Sequence, residues 1–127
     1  MNGFKLNRIV LSIFAPILIL AGVSGFLIPP QYSLTSAAVP YNLFHVVFGA
    51  LGVFIISAGK PPHACLFNIG FGLIDIYQAI ASALSLWPEP YFLWTFVDDV
   101  LHVIIGFALV LIGLYGIGIF KSREETK

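Results

Sequence analysis

Three stretches of this chain, 9–28, 41–59 and 100–120, contain no Asp, Glu, Lys or Arg, and a fourth, 64–87, contains only Asp75. A helix needs roughly 20 mostly apolar residues to cross a bilayer, so each stretch is long enough to span one. Only 9% of the 127 residues are charged and 59% are hydrophobic, whereas a soluble domain carries about 25% charge. The backbone of a lipid-exposed segment must satisfy its own hydrogen bonds, and a single apolar run does so as a helix. The expectation is an all-α bundle of four transmembrane helices at about 9–28, 41–59, 64–87 and 96–120. These spans use up the chain, so residues 1–127 read as one integral membrane domain.

The six basic residues orient it. Lys5 and Arg8 precede the first span, Lys60 separates the second and third, and Lys121, Arg123 and Lys127 follow the fourth. Four crossings place all of them on one side, and the positive-inside rule makes that side cytoplasmic, with both termini inside. The first apolar run is longer than the roughly 7–15 residues of a signal-peptide core and leads into Pro29-Pro30, so it reads as a retained span.

An internal repeat divides the chain in two. Asn42, His45 and Gly49 share their spacing with Asp99, His102 and Gly106, 57 residues further on. Leu27, Pro29 and Tyr32 have the same spacing as Leu86, Pro88 and Tyr91, but at an offset of 59. The reading is two duplicated helical hairpins, each a span, a Pro-Tyr connection and a His-bearing span, related by an axis along the membrane normal. Unequal connections are expected to absorb the two-residue discrepancy. All prolines except Pro16 are expected in loops, and Pro16 should kink the first span. Tyr32, Tyr41, Trp87, Tyr91 and Trp94 fall near the outer ends, where interfacial anchors sit.

On these motifs the chain resembles a family of small four-helix bacterial membrane proteins of unknown function that carry Asn/Asp-x-x-His-x-x-x-Gly on the second and fourth helices. The resemblance implies the fold and a bacterial inner-membrane setting, and no activity.

Candidate chemistry lies within the spans. His45 and His102 are expected to face each other near the outer ends, as candidate cofactor ligands or as a hydrogen-bonded pair. Gly49 and Gly52, and likewise Gly106 and Gly113, form small-residue stripes for helix packing. Asp98 and Asp99 lie four and three residues before His102, within reach of its ring, and Asn42 is placed to cap the second span. Asn68, Asp75, Gln78, Ser82 and Ser85 make one polar stripe on the third span. An uncompensated carboxylate at mid-span is costly, so Asp75 is expected to be neutral or hydrogen-bonded. A polar pocket between spans two, three and four follows. Cys65 is the only cysteine, which leaves no intrachain disulfide or dithiol chemistry, and no metal site is expected.

The first functional reading is a non-enzymatic integral membrane protein, a small accessory or structural subunit of a larger membrane complex or a homo-oligomer. It needs no cofactor and binds no nucleic acid. One alternative is a haem- or chlorophyll-type pigment binder using His45 and His102. Another is a small transporter or proton relay using Asp75. The orientation is directly testable. In intact cells Ser33→Cys should react with a membrane-impermeant thiol reagent and Ser122→Cys should not, and equal labelling would refute the cytoplasmic placement of the termini.

Overall fold

The computed structural model describes residues 1–118, and the regular secondary structure within them is all helical. Its elements are α1 (Gly3–Leu27), α2 (Val39–Ala58), α3 (Pro61–Leu84), the short α4 (Glu89–Phe92) and α5 (Phe96–Gly116). Helices α1, α2, α3 and α5 are long and apolar enough to cross a membrane. The segment 119–120 of the expected fourth span, and with it Lys121, Arg123 and Lys127, lies outside the described residues.

Helix starts follow capping chemistry rather than the first apolar residue. The Asn2 side chain accepts from Phe4 N at 2.8 Å, so α1 begins six residues before the expected span and takes in Lys5 and Arg8. Pro40 sits at the start of α2, and Pro61 and Pro62 open α3. These prolines were expected in loops. The first helical turn has no use for their missing N–H, so they initiate helices instead. Asn42 therefore falls one turn inside α2 and does not cap it; the cap position is Ala38. Pro16 lies within the continuous helix α1.

Two hairpins, α1–α2 and α3–α5, make the most extensive contacts, and their closeness comes from glycine. A methyl group at Gly49 would lie 2.8 Å from the Ala15 carbonyl oxygen and 2.9 Å from Ile19 N. One at Gly106 would lie 2.9 Å from the Gly72 carbonyl oxygen and 3.1 Å from Ile76 N. Gly113 meets the backbone of Cys65 and Ile69 in the same manner, while Gly52 faces the side chains of Ala15 and Leu11. Lipid tails are as apolar as the side chains, so helices in a bilayer associate through such close packing rather than through the hydrophobic effect.

These contacts also fix the internal register. Gly49 pairs with Ala15 and Ile19, and Gly106 with Gly72 and Ile76, which are the same positions shifted by 57. The hairpins thus superpose on one offset along α1 and α3 as well as along α2 and α5. The connections 28–38 and 85–95 are equal in length, so the 59-residue offset of the Leu-x-Pro-x-x-Tyr motif does not reflect unequal loops. The motif occupies different places in them: a 3-10 turn at Pro30–Tyr32 in the first, and a left-handed Ser85 followed by α4 in the second.

Across the hairpins, α1 packs on both α3 and α5, while α2 and α5 lack extensive backbone contact and meet through the Tyr41–Asp98 side-chain bond. The two His-bearing spans therefore do not pack as closely as the helices within each hairpin. The apolar core is built around Leu11, Ala15, Leu18, Phe67, Phe71 and Leu109. At the end carrying the chain termini, Asn7 Nδ2 donates to Gly3 O and Ile112 O at 2.8 and 2.9 Å, and Asn68 Nδ2 donates to Asn7 Oδ1 at 2.8 Å. Arg8 donates to Ile56 O in the last turn of α2 at 3.1 Å, where a cation also suits the helix dipole.

Gly106→Ala should destabilise the fold by about 1–3 kcal/mol, because its methyl meets backbone that cannot step aside. Gly70 has open space where a Cβ would stand, so Gly70→Ala should be neutral or stabilising by up to about 1 kcal/mol. Thermal unfolding of both variants in mild detergent checks the contrast, and equal losses would refute the packing role of Gly106.

Candidate functional site

The site forms where the two hairpins turn. Thr95 caps α5, its Oγ1 accepting from Asp98 N at 3.2 Å while Asp98 Oδ2 accepts from Thr95 N at 2.9 Å. This reciprocal capping box satisfies two otherwise orphaned donors, and it turns the Asp98 carboxylate toward the first hairpin. Ser36 N donates to Asp98 Oδ2 at 2.8 Å and the Tyr41 hydroxyl donates to Oδ1 at 2.5 Å. Two further bonds, Ser36 Oγ to Phe92 O at 2.5 Å and Thr95 Oγ1 to Leu34 O at 2.8 Å, join the connections. Asp98 is 1% exposed, so this carboxylate is stabilised by directed donors in place of water.

Beneath this junction lies a cavity of about 160 Å³. Helix α2 contributes Tyr41 and His45, α3 contributes Phe71 and Asp75, and α5 contributes Asp98, Leu101, His102 and Ile105. The largest wall is α1, through Phe14, Ile17, Leu18, Ala21 and Ser24. The expected pocket between spans two, three and four omitted it. The lining includes four pairs of equivalent positions 57 residues apart: Phe14 and Phe71, Leu18 and Asp75, Tyr41 and Asp98, His45 and His102. The cavity thus sits on the pseudo-axis. Phe14 and Phe71 touch edge to face across it at 5.5 Å between centroids, and the Tyr41–Asp98 bond is another contact between equivalent positions.

The two histidines open on the same cavity without a hydrogen bond between them. His45 Nδ1 lies 2.8 Å from Tyr41 O. A carbonyl only accepts, so Nδ1 carries the proton and the neutral ring keeps an Nε2 lone pair on its free side. The His102 ring stands edge-on to the buried Trp94 at 6.3 Å, and its buried Nδ1 has no partner. Neither Asp98 nor Asp99 hydrogen-bonds to His102, against expectation. Asp98 is committed to the junction, and Asp99 Oδ2 accepts from Ser82 Oγ at 2.9 Å.

The polar stripe of α3 is divided among separate tasks. Asn68 pairs with Asn7 toward the terminal end, Ser82 binds Asp99, and Ser85 is an exposed left-handed cap. Gln78 is buried with Oε1 unpartnered. Asp75 is 3% exposed, makes no hydrogen bond among the described residues and opens on the cavity. Asn42 stands against Gly25, as Asp99 stands against Ser82 at the equivalent position, and its Nδ2 donates to Ala37 O at 3.3 Å. Gly49, Gly52, Gly106 and Gly113 face their hairpin partners, with no room for a methyl group at any of them.

Several participants were not singled out from sequence. Tyr41 and Trp94, expected as interfacial anchors, are 5% and 8% exposed, whereas Tyr32, Trp87 and Tyr91 are exposed. Ser36, Thr95 and Phe14 gave no signal of their own. The 57-residue relation, carried from His45 and His102 to Phe14 and Phe71 or to Tyr41 and Asp98, was the clue available. Among the described residues, no group of three or more His, Cys, Asp or Glu side chains is placed to hold a metal ion.

The class defined by these features is a bundle of four helices long and apolar enough to cross a membrane, with a cavity between them on which His45, Asp75, Asp98 and His102 open. No protein-family model, curated protein or solved structure matches the chain.

Asp98→Ala would orphan the Tyr41 hydroxyl and the Ser36 and Thr95 amides, each worth about 1–3 kcal/mol when left unpaired. A loss of roughly 3 kcal/mol or more is expected, against about 1 kcal/mol for Asp99→Asn, which alters a single bond. Denaturation in detergent ranks the two variants, and equal losses would refute the junction role of Asp98.

Proposed function

We propose that the chain is a non-enzymatic, multi-pass protein of the bacterial inner membrane that holds a small ligand in the cavity between His45, Asp75 and His102. It acts as a small subunit of a larger membrane complex or of a homo-oligomer, has its termini in the cytoplasm, and belongs with the four-helix bacterial family that carries the repeated Asn/Asp-x-x-His-x-x-x-Gly motif. One observation carries the reading. Three ionisable side chains from three helices open on one cavity, and among the described residues no protein group is bonded to them from the cavity side. Intramembrane ionisable groups are expensive to bury and by default mark a functional site.

The cavity's size favours a ligand well below a macrocycle, since drug-sized ligands already occupy pockets of roughly 300 Å³ or more. The glycines below the rings argue the same way, because partner helices fill the space a haem or chlorophyll would take. The subunit part of the reading rests on the short connections 28–38, 59–60 and 85–95, which leave little extramembrane mass for separate work.

Purification in mild detergent, followed by absorbance and mass spectrometry of the extracted small molecules, tests the proposal. The expected sample is colourless and carries a small molecule that is lost from His45→Ala and Asp75→Asn. A Soret band abolished by His45→Ala and His102→Ala would replace this reading with the haem one. An extract identical in wild type and variants would remove the ligand site.

A further inference from the structure

We propose that the cavity is a site for a lipophilic amine, whose ammonium head pairs with Asp75 and whose apolar tail leaves between α1 and α5 into the bilayer. The proposal rests on reading the cavity as a ligand site and names the chemistry of its occupant.

The route comes from the way α1 and α5 cross. They are pinned at the terminal end, where a methyl on Gly3 would meet the Gly116 backbone at 2.7 Å and Asn7 bonds to Ile112 O. Toward the hairpin end both helices line the cavity, α1 with Ile17 and α5 with Leu101 among its residues. These two side chains are 52% and 41% exposed. The cavity is thus walled mostly by apolar side chains, two of which reach the outer surface, and it holds a few ionisable groups, a combination that suits an amphipathic molecule arriving sideways.

The head is identified by what lines the interior. The lining holds two acids and no Lys or Arg: Asp75, which has no hydrogen-bond partner among the described residues, and Asp98, whose donors are already in place. The His45 ring, bonded through Nδ1 to Tyr41 O, the His102 ring and the Tyr41 hydroxyl, which is bonded to Asp98, face the same space. The Phe14 and Phe71 rings complete the wall, and aromatic faces attract cations, more strongly where water is excluded. Helix α1 contributes no titratable group. Nothing in this set complements a phosphate or carboxylate, which would meet two acids and no Lys or Arg. A volume near 160 Å³ accommodates an ammonium head and its first carbons, and the remaining chain would leave past the part-exposed Ile17 and Leu101.

The test uses the full-length protein in nanodiscs of zwitterionic lipid, probed with n-octylammonium, 1-octanol and octanoate at matched concentrations. Octylammonium should raise the melting temperature saturably and the other two should not. In Asp75→Asn the half-saturating concentration should rise by about tenfold or more, a loss of at least about 1.4 kcal/mol. Leu18→Lys covers the case in which Asp75→Asn fails to fold, since it places an internal amine across the axis from Asp75. It should accumulate and no longer respond to octylammonium, and Leu18→Lys combined with Asp75→Asn should not accumulate. Equal stabilisation by octanol, lost in His45→Ala, would keep the ligand site and overturn the amine. No saturable response to any probe would overturn both. A response to octylammonium unchanged by Asp75→Asn or by Leu18→Lys is partitioning into the bilayer and overturns the amine site.

Discussion

The fold turns on one buried carboxylate. Asp98 accepts from Ser36 N, Thr95 N and the Tyr41 hydroxyl, and so joins both connections and two of the long helices in a single group. A buried anion is tolerable when its lone pairs are met by fixed donors. Its position in the first turn of α5 adds the favourable end of the helix dipole. The capping box contributes a second layer, because the interaction that starts α5 is the same one that aims the carboxylate across the bundle. The roof of the cavity, and the placing of His102 one turn below it, follow from this junction.

The walls follow from a different constraint. With no hydrophobic drive between helices in lipid, each hairpin closes through glycine against backbone, and this brings α1 against α2 and α3 against α5. Glycines used this way are unavailable for contact between hairpins, where the fit is looser. The hairpins are therefore pinned by polar bonds at their two ends: Asn7, Asn68 and Ile112 at one, Asp98 and its donors at the other. Between the pins the hairpins share the apolar core of Leu11, Ala15, Leu18, Phe67, Phe71 and Leu109. The cavity is the part of this space that the core leaves open below the Asp98 junction.

Much of this was legible in the sequence. Uncharged run length gives the four helices, and helical period gives the glycines that face the partner helix of each hairpin. Where reading failed, the cause was local. Asn42 carries the right side chain for a cap, but Pro40 starts α2 earlier, and proline's fixed φ outweighs a good capping residue placed too late. Tyr41 lies where an interfacial anchor would lie, and only its partner Asp98, 57 residues away, distinguishes an inward ring from an outward one. The Pro-Tyr motif suggested loops of unequal length because it repeats in sequence without repeating in structure. The α1 wall was invisible because Phe14, Ile17 and Leu18 are indistinguishable by type from side chains that face lipid.

The departures from symmetry separate scaffold from chemistry. Of the four equivalent pairs that line the cavity, Phe14 with Phe71 and His45 with His102 preserve the pseudo-twofold, whereas Tyr41 with Asp98 and Leu18 with Asp75 break it. Both acids belong to the second hairpin, so the cavity is polarised from one half toward the other. They differ in how the protein treats them. At the first broken pair the equivalent residue, Tyr41, donates to Asp98, and the asymmetry closes on itself as a structural bond. At the second the equivalent residue is Leu18, which can donate nothing, and the carboxyl of Asp75 faces open space. A structural need for an acid at position 75 would be met by a donor at position 18, as it is at 41 for 98. The missing donor is what makes Asp75 the group left free to meet something from outside the chain.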